Sequence, residues 1–115
     1  MAEHDAVIGR RHSIDDGVVI TPEGEIDLIR SPQFRAELIE LLDQGTGRLI
    51  VDLSQVPFMD SSGVATLVEA LQVQRRKGRK LVLCGLQAKV RSIFEISRLD
   101  RVFQITEDAA AAGDV

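Results

Sequence analysis

Leu49-Ile50-Val51-Asp52-Leu53, followed by Val56-Pro57-Phe58-Met59-Asp60-Ser61-Ser62-Gly63, decides how this chain is read. The apolar run over residues 48–53 has the pattern of a strand covered on both faces. Beyond a short connection, Asp60, Ser61 and Ser62 are all residue types that cap helices. Val64, Leu67, Val68 and Leu71 then recur at helical spacing, so a helix is expected from about Ser62 to Lys77, stopped by Gly78. A serine at this junction lies against free backbone N–H groups and the positive end of the helix dipole. Such a position can carry a phosphate and show it to a partner.

Working outward, residues 6–13 and 18–21 read as strands separated by Asp15-Asp16-Gly17, which has hairpin-turn chemistry. Gly24-Glu25-Ile26-Asp27 reads as a continuation of the second strand into a bend. Ser31-Pro32 marks a helix start, with Ser31 as cap and Pro32 at the first helical position. Phe34, Leu38, Leu41 and Leu42 give that helix one apolar face, and Gly45 ends it. Residues 80–84 form another strand, punctuated by Gly85. Ala88, Val90, Ile93, Phe94 and Ser97 sit on a third helix with Leu99 just beyond it, and residues 102–105 make a last strand. The tail, 107–115, either frays or forms a terminal helical turn. The order β-β-α-β-α-β-α-β predicts a single compact α/β domain over residues 1–115, with its core at about 5–106. Its sheet is expected to be mixed and mostly parallel, with four to five strands, helices packed against it and an opening hairpin.

Composition narrows the function. Of 115 residues, 44% are hydrophobic but only 3% aromatic, all Phe, so the core is aliphatic and no platform exists for stacking single-stranded bases. A net charge of −4 argues against a nucleic-acid partner. Arg75-Arg76-Lys77 with Arg79 and Lys80 reads as a solvated helix end, where cations suit the dipole. Cys84 is the lone cysteine; it forms no intrachain disulfide and packs as a small hydrophobe in its strand. Met1-Ala2-Glu3-His4-Asp5 lacks the basic and apolar regions of a secretion signal, and no apolar run approaches the ~20 residues of a membrane span. A cytoplasmic protein with no membrane insertion is expected.

Enzymatic readings fare poorly. Gly45-Thr46-Gly47-Arg48 precedes a strand and lacks the lysine of a phosphate-cradling loop. Neither His4 nor His12 stands where a base would activate Ser61 or Ser62, and no Gly-x-Ser-x-Gly elbow surrounds them. Asp52 and Asp60 lack the further acids that would hold a divalent cation for aspartyl phosphorylation. No catalytic residue, cofactor or metal ligand is assigned. Capping alone would account for Asp60, Ser61 and Ser62. Against that stand the missing capping box and Gly63, which weakens a first helical turn unless something must come close.

Four segments together resemble the STAS domain, specifically the small stand-alone anti-sigma factor antagonists of bacteria. They are Gly24-Glu25-Ile26-Asp27, the strand into Asp52-Leu53-Ser54, Val56 through Gly63, and Arg98-Leu99-Asp100-Arg101-Val102-Phe103. The resemblance implies a non-catalytic protein that binds an anti-sigma factor with serine kinase activity and is released when phosphorylated. It places the phosphorylation on Ser62, implies reversal by a PP2C-type phosphatase, and puts Asp27, Asp60, Ser61, Ser62 and Gly63 on the partner surface. Thr66, one turn after Ser62, is left outside this set. The same resemblance allows an alternative, a STAS subunit of another assembly, such as a stress-signalling scaffold or a lipid-transporter accessory protein.

Overall fold

A computed structural model describes residues 6–45 and 47–115. The expectations for the N-terminal pentapeptide, for His4 and for Thr46 lie outside the described residues. An antiparallel hairpin opens the chain, β1 (Ile8–Ile14) against β2 (Gly17–Pro22), with Ile14 paired to Gly17 across the Asp15-Asp16 turn. Then follow α1 (Ser31–Asp43), β3 (Arg48–Asp52), α2 (Ser61–Arg76), β4 (Leu81–Cys84) and α3 (Ala88–Ile96). A single 3-10 turn, Leu99–Arg101, leads into β5 (Gln104–Thr106) and a short α4 (Ala109–Ala112). The five strands lie side by side in chain order, and all pairs after the hairpin are parallel. The expected α/β order and mixed, mostly parallel sheet are therefore observed.

The unbroken apolar runs are explained by cover on both faces. Val18, Ile20, Leu49, Val51, Leu81 and Leu83 point into the main core, with Phe34 and Leu38 of α1, Leu67 of α2 and Phe94 of α3. Phe94 meets Phe103 edge-on, with ring centroids 5.5 Å apart. The intervening Val19, Ile50, Val82 and Cys84 face the other way and pack beneath Ala112 of α4. The tail thus forms the terminal helical turn rather than fraying. Asp108 caps α4 by accepting from the Ala111 N–H at 2.8 Å, and the Arg48 guanidinium donates to the Ala112 and Gly113 carbonyls. Burial pushes the Cys84 thiol up to about 12, so this cysteine is inert.

Three local expectations differ from the structure. Ile26 does not extend β2; it makes one isolated parallel bridge to Met59, after Gly24 turns the chain with φ of +84°. Ser31 is buried and is the first residue of α1, and Arg30 occupies the capping position without a side-chain cap. The carbonyl of Asp27 accepts from the Ser31 N–H at 2.8 Å, so the start of α1 is satisfied by the loop before it. The last strand begins at Gln104, because Val102 closes the 3-10 turn onto the Leu99 carbonyl.

Gln74 locks the lower end of α2 to the strands beside it. Its side chain is fully buried, and its amide donates to the Gly47 and Lys80 carbonyls at 2.7 and 2.9 Å. Gln74→Ala leaves both carbonyls without that donor and opens a cavity. The expected loss is about 2–3 kcal/mol, read as a lower urea midpoint at unchanged slope.

Candidate functional site

All parallel strands end on one side of the sheet, and the site lies where β3 gives way to α2. Leu53, Val56 and Met59 are fully buried and anchor the connection from below. Its outer edge is pinned to the preceding loop: the Ile26 N–H donates to the Phe58 carbonyl at 3.0 Å, and the Asp60 N–H to the Ile26 carbonyl at 3.2 Å. A solvent-facing turn is thereby held by buried side chains on one side and a two-stranded bridge on the other. Little freedom remains at Asp60.

Asp60 takes the extended conformation of an N-cap, and α2 begins at Ser61. One carboxylate oxygen accepts from the Ser62 N–H at 2.9 Å and from the Ser62 hydroxyl at 2.5 Å. The other accepts from the Leu28 N–H at 3.0 Å. Chiefly through the Ser62 hydroxyl, helped by the Ser62, Gly63 and Leu28 N–H groups and opposed by desolvation, the carboxyl is held below its ordinary value. A carboxylate so stabilised stays ionised and is a poor proton acceptor. The arrangement displays a hydroxyl; it does not activate one.

Of the three candidate caps Asp60 takes the role, and Ser61 is the exposed first helical residue, because the Asp60 carboxylate reaches the Ser62 N–H. Ser62 is half-buried, neither sealed in the core nor fully free. Gly63 is buried, and its smallness answers to this chain: a Cβ there would lie 2.6 Å from Met59 Cγ and 3.0 Å from Ile26 Cγ2. Thr66 is also buried, its hydroxyl donating to the Ser62 carbonyl at 3.0 Å. Asp27 turns back on its own loop, accepting from the Ile29 and Arg30 N–H groups at 3.0 and 3.1 Å. The structure therefore brings Asp27, Asp60, Ser61, Ser62 and Gly63 into one place, with Ser61 and Ser62 the hydroxyls nearest solvent.

Sequence reasoning passed over Leu28 and Ile29, which stand beside Asp27 at 74% and 86% exposure. Two aliphatic residues between an aspartate and a Ser-Pro helix start, with no place in either flanking pattern, were the available signal. Phe58, 38% exposed, lies on the other of the two segments joined by the Ile26–Met59 bridge. Among the described residues, no three His, Cys, Asp or Glu side chains cluster as a metal site, and no helix is long and apolar enough to cross a membrane.

Comparison with known proteins bears on this geometry. The family model described as STAS domain matches residues 9–112. The anti-sigma-B factor antagonist of Listeria monocytogenes is 33% identical over 91 residues, covering 78% of this chain and 79% of that protein. An anti-sigma factor antagonist from Mycobacterium paratuberculosis superposes with a TM-score of 0.82 at 21% identity, covering 90% of this chain and 87% of the other. The Bacillus cell fate determinant SpoIIAA in its phosphorylated form superposes with a TM-score of 0.70 at 23% identity, covering 91% and 96%.

Two outcomes test the geometry. Gly63→Ala forces Met59 and Ile26 to give way and costs about 1–3 kcal/mol, read as a lower thermal midpoint. For Asp60, a folded pKa below the unfolded value means the stabilisation is complete above about pH 4 and fades as pH falls through the lower folded value. Asp60→Asn keeps a capping side chain without the charge. Its deficit against wild type is expected to be constant near neutrality and to shrink below pH 4; a deficit that grows with acid contradicts the assignment.

Proposed function

The chain belongs to the STAS domain family, and on that premise we propose that it is a non-catalytic anti-sigma factor antagonist switched at Ser62. Unmodified, it binds an anti-sigma factor that is also a serine kinase; phosphorylation of Ser62 releases it, and a PP2C-type phosphatase restores it. The observation that carries this reading is the Ser62 hydroxyl, half-buried at the mouth of a 16-residue helix and hydrogen-bonded to an ionised carboxylate. The names of relatives such as the Listeria antagonist support the partner class.

The chemistry of release follows from that bond. Phosphorylation replaces the hydroxyl proton, so the ester oxygen no longer donates to Asp60, and it adds about −1.5 to −2 charges. The helix N-terminus accommodates the new anion, so the fold persists. A partner shaped around a neutral hydroxyl beside one carboxylate must now strip water from two adjacent anions and make room for the phosphoryl group. Truncating or mismatching a buried charge at an interface costs on the order of 2–5 kcal/mol, and 3 kcal/mol is roughly a hundredfold in affinity. Nothing in this scheme needs a base, metal or cofactor on this chain. Asp27 serves it by shaping the loop beside the serine, and Gly63 by letting the helix start settle onto Met59.

Incubating the protein with ATP and each anti-sigma factor kinase of the same genome, then mapping the labelled peptide, tests the site. Ser61→Ala should still be labelled and Ser62→Ala should not. Ser62→Glu should bind that kinase roughly a hundredfold more weakly than wild type. Undiminished labelling of Ser62→Ala would show that the switch lies elsewhere.

A further inference from the structure

We infer that Leu28 and Ile29 are the apolar anchor by which the partner kinase selects this chain, and that Asp60 holds that anchor in register with Ser62. The inference rests on the function proposed above and names what its partner must present: an apolar pocket rimmed by lysine or arginine.

Leu28 and Ile29 stand next to each other in water at 74% and 86% exposure, beside the serine rather than scattered singly over the surface. This pair is also not loosely placed. Asp60 accepts from the Leu28 N–H, and Asp27 accepts from the Ile29 and Arg30 N–H groups. The Arg30 guanidinium donates to the Glu25 carbonyl, and the Gly24 N–H to the Gln55 carbonyl at 3.0 Å. Consecutive backbone groups of an exposed loop are thus satisfied internally, so the two apolar side chains are presented with little entropy left to lose on binding. The patch is continuous with the serine through a single carboxylate that bonds both, and three carboxylates, Glu25, Asp27 and Asp60, stand on the same two segments against one cation, Arg30, which is turned onto the Glu25 carbonyl. An apolar centre with an acidic border fits a partner pocket with a basic rim.

Ile96 supplies the control. It is 83% exposed, but it ends α3, a helix that starts beside the carboxyl ends of the strands and runs away from them. The kinase that labels Ser62 is titrated with wild type, Leu28→Ser/Ile29→Ser, Ile96→Ser and Ser62→Glu, with thermal midpoints recorded for each. The double variant should bind on the order of thirtyfold more weakly than wild type at an unchanged midpoint, and Ile96→Ser should bind as wild type does. If the double variant keeps wild-type affinity while Ser62→Glu loses it, the anchor is wrong and the switch stands. If Ile96→Ser weakens binding equally, the effect is general stickiness and the anchor is again wrong. If no kinase labels Ser62, both the switch and the anchor fall.

Discussion

The Asp60 carboxylate accepts from the Ser62 hydroxyl and amide with one oxygen and from the Leu28 amide with the other. It therefore caps α2, orients the serine and ties down the loop that leads into α1. Each of those tasks could be met separately by common residues. Meeting them with one side chain makes the chemical state of the serine a matter for the whole upper surface, because the hydroxyl proton is one of the few donors that keep this carboxylate ionised and in place. An ester at Ser62 removes that donor and introduces a second anion at the same point.

Such an arrangement works only on a support that does not yield. The sheet supplies it: Leu49 and Val51 are buried on one face and Ile50 on the other, with parallel neighbours on both sides. Close-packed protein cores do not deform continuously. The helix start is pressed so closely against Met59 and Ile26 that any side chain at position 63 would have to displace them. Paired hydrogen bonds from Arg35 to Glu69, at 2.7 and 2.6 Å, join α1 to α2 and hold the Glu69 carboxyl below its ordinary range. A bond between exposed side chains adds modestly to stability, yet it helps fix how the two helices that flank the site lie against each other.

Much of this was legible in the residues. The apolar run before Asp52 and the helical spacing from Val64 to Leu71 made the β3–α2 junction plain, since burial on both faces and a 3.6-residue period leave few other readings. What stayed hidden depended on contacts distant in sequence. Ser31 looked like a cap because Ser-Pro is a common helix start, but the loop from Asp27 had already satisfied the donors there. Ile26 looked like strand because its partner, Met59, is 33 positions away and forms only one bridge. Gly63 suggested room for a visitor, whereas the space is filled by this chain's own Met59. Leu28 and Ile29 belong to no periodic pattern, and only a surface shows that they are exposed together.

Calorimetric titration of the partner kinase with unmodified protein and with protein stoichiometrically phosphorylated on Ser62, in one buffer at one ionic strength, tests the central claim most directly. The account predicts that the phosphorylated form binds at least roughly a hundredfold more weakly while unfolding at about the same temperature. Equal affinities for the two forms would contradict it.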